Sequence, residues 1–180
     1  MVSIPSYNTH IATYDPIART TTTSLTDQVT FTNIPTTGYT DLILVCAFEF
    51  DTAAQFRFQV GDGGTLDTGA NYSFTGLVGN GSTASSFRRS SQNQYYAYNG
   101  NGITANTRTT VMAQFMSYAN TNVYKTTLIS NANASDEGAA REVMLWRDTA
   151  AIDIIKVHSA SGEDFEIGTK FSLYGIRGEL

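Results

Sequence analysis

Apolar and polar residues alternate in short runs along most of this chain, with turn-forming residues between the runs. Side chains of an extended strand point to opposite faces in turn, so this period of two predicts β-structure. The strongest run is Asp41 to Phe50. Leu42, Leu44, Cys46, Phe48 and Phe50 share one side of it, and Ile43, Val45 and Ala47 share the other. Both sides are apolar over its first half, which predicts a central strand covered on both faces there.

Other runs follow the same rule. Ile17 to Thr23 and Gln28 to Ile34 come first, with Val29 and Phe31 on one side of the second. Gln55 to Val60 places Phe56, Phe58 and Val60 inward and Gln55, Arg57 and Gln59 outward. Gly61-Asp62-Gly63-Gly64 predicts a turn, because glycine adopts positive φ without strain. Residues 65–106 are rich in Gly, Asn, Ser and Tyr and carry only the short candidates Tyr72 to Val78 and Gln94 to Tyr98. Clean alternation returns at Thr109 to Tyr118, Asn122 to Ser130, Glu142 to Arg147, Ala151 to His158 and Thr169 to Ile176. The only helical candidate is one turn at Asp136 to Ala140. Roughly nine or ten strands about ten residues apart predict an all-β fold, a single antiparallel β-sandwich that is jelly-roll-like. The expected core is Phe31, Leu44, Cys46, Phe48, Phe58, Phe115, Leu145, Ile154, Phe171 and Leu173. The closing strand, with Phe171, Leu173 and Gly175 on one side, leaves little room for a tail. Residues 1–13 show no strand pattern and are expected to form a flexible N-terminal arm ahead of one domain over residues 14–180.

Composition sharpens this picture. The chain has 180 residues, of which 41% are hydrophobic, 12% aromatic and only 15% charged. Its charge is replaced by Thr, Ser, Asn and Gly, which suits β-structure and close contact with neighbours, since few charges need be desolvated. The net charge is −5 and no Lys/Arg run exceeds Arg88-Arg89, so nucleic acid is not expected as a partner. The N-terminus has no signal-peptide pattern, and the longest apolar stretch, Leu42 to Phe48, is too short to span a bilayer. No membrane partner is expected. The single cysteine, Cys46, lies among apolar residues and reads as a small buried hydrophobe.

No catalytic motif stands out. His10 lies in the expected arm. His158 ends a strand beside Ser159, Ser161 and Asp164, but nothing frames these serines as a nucleophile, and such neighbours are common in a Ser-rich chain. One cysteine and two remote histidines do not make a zinc site. Asp62 and Asp67 flank one Gly-rich turn and Asp136-Glu137 sits in another, each better read as an acid that stabilises its own turn than as a calcium ligand. No pair among the sixteen acids is singled out for glycosidase chemistry. The expectation is a protein that is not an enzyme, with no cofactor and no metal.

One segment rises above this background. From Phe87 to Asn101 the chain combines arginines, amides and three tyrosines. Tyr and Arg offer large contact area with few lost rotamers and are enriched at interfaces. Arg88, Arg89, Tyr95, Tyr96 and Tyr98 are therefore the candidate subunit or ligand contacts, against the alternative that the tyrosines cover an edge of the sandwich. Tyr95 and Tyr96 must face opposite sides of a strand, so not all three tyrosines fit in a core.

Several short landmarks recur in a fixed order: Tyr14-Asp15-Pro16-Ile17-Ala18-Arg19-Thr20-Thr21, Phe31-x-Asn33-Ile34-Pro35, Tyr39 to Val45, Asn71-Tyr72-Ser73, Leu77-x-Gly79-Asn80-Gly81-Ser82 and Gly168 to Ile176. This pattern, from Tyr14 to Ile176, resembles small standalone virion proteins of tailed phages, especially those infecting cyanobacteria and other aquatic bacteria. The resemblance implies a structural protein in the virion, made in the host cytoplasm, with a β-sandwich fold and trimeric packing. It carries over no catalytic residue. A capsid decoration (cement) protein, a head fibre and a tail fibre are all consistent with it. The chain lacks a coiled-coil or shaft repeat, which favours decoration over a fibre. The partners so implied are further copies of the chain, as a homotrimer, and the major capsid protein, with a host surface glycan or receptor as the alternative.

Overall fold

A computed structural model describes residues 13–100, 102–133 and 138–177. Among them, thirteen strands follow in chain order. They are β1 (Tyr14–Thr21), β2 (Gln28–Phe31), β3 (Asp41–Phe48), β4 (Phe56–Asp62), β5 (Thr65–Leu66), β6 (Tyr72–Gly79), β7 (Ala84–Gln92), β8 (Tyr95–Tyr96), β9 (Thr109–Met116), β10 (Lys125–Asn133), β11 (Gly138–Trp146), β12 (Ile154–Ser159) and β13 (Lys170–Ile176). A single 3-10 turn, Ala97–Gly100, follows β8.

The strands form two antiparallel sheets. The larger has the order β1-β13-β3-β9-β10-β11-β6-β7, and the smaller has the order β2-β12-β4-β5 with β8 also paired to β4. Four of the pairings are nested in sequence: β4 with β8, β3 with β9, β2 with β12 and β1 with β13. Successive pairs lie in alternate sheets, which is the winding of a jelly roll. The expected all-β sandwich of jelly-roll type is what the chain adopts. Two excursions, β6 to β7 and β10 to β11, widen the larger sheet at one end without disturbing the nest. The turn foreseen at Gly61-Asp62-Gly63-Gly64 is the two-residue hairpin between β4 and β5. Gly63 and Gly64 both have positive φ, 56° and 72°, as the hairpin twist requires.

Aromatic rings fill the space between the sheets. Phe48 of β3 stacks on Phe56 of β4 with centroids 4.8 Å apart, and Phe50 stacks on Phe165 at the same spacing. Phe165 meets Phe171 of β13 edge-on at 5.0 Å. Further along, Phe58 lies 4.5 Å from Tyr95 and 5.7 Å from Phe115. These rings join three strands of one sheet to two of the other. Burial of Cys46 holds its thiol protonated, far above the usual range, in keeping with the reading of a small core hydrophobe.

Of the ten expected core residues, Leu145 alone is misplaced. It lies on the outer side of β11, while its neighbours Met144 and Trp146 take the inner positions. Both alternations of β11 are apolar there, so pattern alone could not choose the side. The helical turn expected at Asp136 to Ala140 is absent over its described part, because Gly138 to Ala140 already belong to β11. Strand β7 had no sequence signal, since Ala84, Ser85, Ser86, Ser90 and Ser91 are exposed on a sheet edge and need no apolar face. Of the N-terminal arm expected at residues 1–13, only Thr13 falls within the described residues. A further departure concerns β3. It is central, between β13 and β9, as foreseen. Its inner side is sealed, yet Ile43 and Val45 on the other side are only half-buried.

Phe171 is fully buried against Phe165. Phe171→Ala is expected to destabilise the protein by about 3–5 kcal/mol through the cavity left behind, measured as a lowered denaturant midpoint. An unchanged midpoint would show that β13 is not part of the cooperative core.

Candidate functional site

The outward side of the larger sheet is unusually apolar. Register places Tyr174, Ile43, Gln114, Leu128 and Val143 in one row across β13, β3, β9, β10 and β11. The next row runs Ser172, Val45, Met112, Ser130, Arg141 and Leu77. Leu77, Met112, Leu128 and Val143 remain 64%, 44%, 41% and 40% exposed. Between Leu77, Leu128 and Val143 the small side chains of Thr75 and Ser86 leave a shallow depression of about 450 Å³, edged by Arg141.

Strand β10 shows how far this face departs from a solvated one. Its buried positions are Lys125, Thr127, Ile129, Asn131 and Asn133, and its exposed side carries Leu128. Part of the usual order is inverted, with polar groups inside and an aliphatic side chain outside. Two of the inward groups, Lys125 and the Asn131 amide nitrogen, bond within the fold, while the buried Thr127 hydroxyl has no hydrogen-bond partner among the described residues. Lys125 Nζ donates to the carbonyls of Asn120, Val123 and Thr149 at 2.6, 2.8 and 2.9 Å, which fastens two loops to the start of β10. Asn131 Nδ2 donates to Glu142 Oε1 at 2.6 Å and to the Tyr95 hydroxyl at 3.3 Å. The backbone N–H of Tyr98 donates to the same Glu142 oxygen at 3.1 Å. Gly76 on β6 makes room for this group, because a Cβ there would lie 2.7 Å from Glu142 Cγ. Burial pushes the Glu142 carboxyl up to about 7, although Tyr95, Tyr98 and Asn131 all favour its charged form. Burial, followed by the Glu142 charge, raises the Tyr95 phenol well above its usual range.

The five candidate contact residues do not form one surface. Arg88 and Arg89 are neighbours on β7 and point opposite ways. Arg88 is exposed on the outer face beside Thr75. Arg89 turns toward β8, where its guanidinium lies 5.6 Å from the Tyr96 ring centroid. Tyr95 and Tyr98 are fully buried, which corrects their assignment as contacts. Tyr95 packs on Phe58 and Phe74. Tyr98 follows it inward because strand geometry ends at Tyr96 and the 3-10 turn, with φ of 49° at Tyr98, breaks the alternation. Tyr96 stays half-exposed. Arg88, Arg89 and Tyr96 thus remain available to a partner.

The residues weighed for catalysis have structural surroundings. His158 Nδ1 donates to the Ser159 carbonyl at 2.7 Å, and the Ser159 hydroxyl accepts from the Gly162 N–H at 3.2 Å. Burial, then Lys156 and Arg57, push the His158 imidazole down to about 4. Asp67 accepts from Trp146 Nε1 at 2.6 Å, Asn71 Nδ2 at 2.9 Å and the Gly69 N–H at 2.7 Å. These bonds tie the β5–β6 loop to the end of β11. No group of three or more His, Cys, Asp and Glu among the described residues is placed to hold a metal ion.

Sequence reasoning missed two things here. The apolar outer face was visible only as double-sided alternation in Asp41 to Phe48 and in Val143 to Trp146. The cations that approach Tyr96 come from β4 and β7, which are far apart in sequence, and only strand order brings them together.

No family profile matches the chain, and no curated protein matches it. Solved structures give loose likenesses. CG-16, a homodimeric agglutinin from chicken liver, is 14% identical, with 81% of this chain and 99% of that one covered at a TM-score of 0.35. The alginate lyase Aly36B is 11% identical over 90% of this chain and 81% of its own, at a TM-score of 0.31. The CBM2 module of an evolved Dit from Lactobacillus casei BL23 phage J-1 is 11% identical over 85% and 70%, at a TM-score of 0.29. Likenesses this distant transfer no ligand or activity to the present chain.

The Glu142 carboxyl gives a pH dependence. In the folded chain it holds its proton up to about 7, against an ordinary value of 4.5, so folding takes up a proton. The stability linked to this group is complete below about pH 4.5 and is lost as pH rises through about 7. The melting temperature is expected to fall across that window with a slope that Glu142→Gln flattens, and the variant should be the more stable protein above neutrality. An unchanged slope would show that Glu142 folds as a satisfied anion.

Proposed function

We propose that this chain is a structural protein of a phage virion: a capsid decoration protein that binds the major capsid protein through the outer face of its larger sheet and stabilises the assembled head. The observation that carries the reading is β3. It is built to be covered on both sides, and the described chain covers one. The missing cover would lie over Ile43, Val45, Met112, Leu128 and Val143. Full burial of an aliphatic or thioether side chain contributes about 1.5–3 kcal/mol; these side chains are already more than half buried, so a cover adds the remaining fraction of each, and several together support a contact. The low charge of the chain keeps desolvation small. Many equivalent contacts around a symmetric shell then multiply a modest single affinity. The order of landmarks from Tyr14 to Ile176, which resembles that of small virion proteins, supports this reading and implies a homotrimer. Its mechanism is binding alone, without catalysis or cofactor, and its location is the virion.

A second reading is a head or tail fibre domain that binds a host surface glycan or receptor. The patch at Tyr96, with its two guanidinium groups, favours it.

Gold labelling of purified particles distinguishes the two: label over the whole head supports decoration, and label at the tail alone supports a fibre. Leu128→Asp with Val143→Asp is expected to reduce the copies bound per particle at least about tenfold, while the melting temperature and the light-scattering mass of the free protein stay unchanged. A fall in mass without loss of particle binding would assign the face to contacts between copies of the chain. A lowered melting temperature would assign these side chains to the fold.

A further inference from the structure

The outward side of the smaller sheet has the opposite character. Register aligns Gln28, His158, Arg57 and Tyr96 across β2, β12, β4 and β8. Lys156 stands in the next row, beside Gln59. The Arg57 guanidinium lies 4.6 Å from the Tyr96 ring centroid, and Arg89 reaches the same ring from the edge of the other sheet at 5.6 Å. In a chain of net charge −5, two guanidinium groups meet here at one half-exposed aromatic ring, with Lys156 in the adjoining row of the same face.

The chain does little to neutralise Arg57 and Lys156. Arg57 donates to the neutral Gln55 Oε1 at 2.7 Å, and its shielded Nε–H meets no acceptor. The ion pairs among the described residues, Arg108 with Glu49 and Arg177 with Asp15, involve neither Arg57 nor Lys156. Asp27 is the acid that acts on this face, and its effect on His158 is smaller than those of Lys156 and Arg57. The platform is held in shape. The Tyr96 hydroxyl donates to Asn93 Oδ1 at 3.3 Å, Gln94 Nε2 donates to that hydroxyl at 3.4 Å, and Gln59 Nε2 fixes the Asn93 carbonyl at 3.1 Å. Phe74 supports the ring, with centroids 5.8 Å apart.

We propose that this cationic shelf binds an anionic saccharide, with Arg57, Arg89 and Lys156 receiving its carboxylate or sulfate groups and the exposed amides of Asn93 and Gln28 receiving its hydroxyls. A guanidinium presents paired N–H donors that match a carboxylate or sulfate edge, and an anion placed at Arg57 and Lys156 gives these two cations a charge partner. The mixture of side-chain amides with an aromatic ring distinguishes the shelf from a bare electrostatic patch and suits a ligand that alternates charge with hydroxyls. Burial is the first cause of the depressed His158 imidazole, and Lys156 and Arg57 add to it, so an anion bound to these two cations is expected to raise it. The inference deepens the glycan-binding reading. It is tested on the isolated chain, so its failure is separate from the placement of the protein on a particle, which labelling decides.

Isothermal titration with oligosaccharides of dextran sulfate, of polygalacturonate and of uncharged dextran tests it. At least one acidic sugar is expected to bind and dextran is not. The tighter of the two acidic sugars identifies sulfate or carboxylate as the recognised group. Arg57→Gln with Lys156→Gln should weaken binding at least about tenfold, the scale of a lost charge-assisted hydrogen bond. Arg88→Gln with Arg141→Gln, the same charge change on the opposite sheet, should leave it unaltered. Saturation with the acidic sugar should raise the His158 imidazole, followed by NMR, above its free value of about 4. Lys156→Gln alone, at a half-exposed position, repeats the test should the double variant unfold. Equal weakening by the two double variants, an unmoved His158, equal binding of dextran, or equal binding of polyglutamate would each overturn the proposal, the last by assigning the shelf to acidic protein.

Discussion

The distance between two stacked sheets, about 10 Å, is the constraint on which the rest of this protein depends. Only interlocking side chains fill that gap, and here aromatic rings do so, from the Phe48–Phe56 stack at one end to Tyr95 between Phe58 and Phe74 at the other. Each ring must arrive on the inner side of its strand, which forces the period of two along β3, β4, β9 and β13. The nested pairing follows from the same need. A strand with one aromatic side must find a facing strand in the other sheet, and the jelly-roll winding supplies one for every pair from β1 with β13 to β4 with β8.

The added strands β10, β11, β6 and β7 lie where this arrangement weakens. Rings of Phe74, Tyr72 and Trp146 still reach inward, but β10 offers Thr127, Asn131 and Asn133 to the interior. Polar groups buried in such a place must bond to one another, and Asn131 and Tyr95 accordingly gather on Glu142. Other apolar residues of these strands, Leu77, Leu128 and Val143, appear on the outside, on the same face as Ile43 and Val45 of β3. The extension therefore enlarges an apolar outer face while spending its interior on a small polar network. A chain evolving only for its own solubility would gain from the reverse.

What was legible in the sequence is what period and turn chemistry carry. The fold class, the central position of β3 and the hairpin at Gly63-Gly64 all follow from local rules. Leu145 was unreadable because Val143 to Trp146 is apolar on both sides, and the choice between them is made by pairing with β6 and β10. Strand β7 was unreadable because an exposed edge strand needs no apolar side. Tyr98 was misassigned because alternation was carried past Tyr96, where a 3-10 turn replaces the strand. The contact segment itself was legible as a composition, and its division among outer face, sheet edge and core was not, since that depends on neighbours more than thirty residues away, as with Tyr96 beside Arg57.

The two outer faces differ in a way that bears on how such a protein works. A contact made by Leu128, Met112 and Val143 draws on removal of apolar surface from water and changes little with salt. A contact made by Arg57, Arg89 and Lys156 is screened within about 10 Å at 0.1 M salt and is made and broken as ionic conditions change. On the assignments proposed here, the larger sheet carries the lasting attachment and the smaller sheet the exchangeable one. The sandwich separates them by its own thickness, so an occupied shelf need not disturb the anchored face. That separation also explains why Arg88 and Arg89, adjacent in sequence, are best read as belonging to different surfaces: one edges the anchor, and the other completes the shelf.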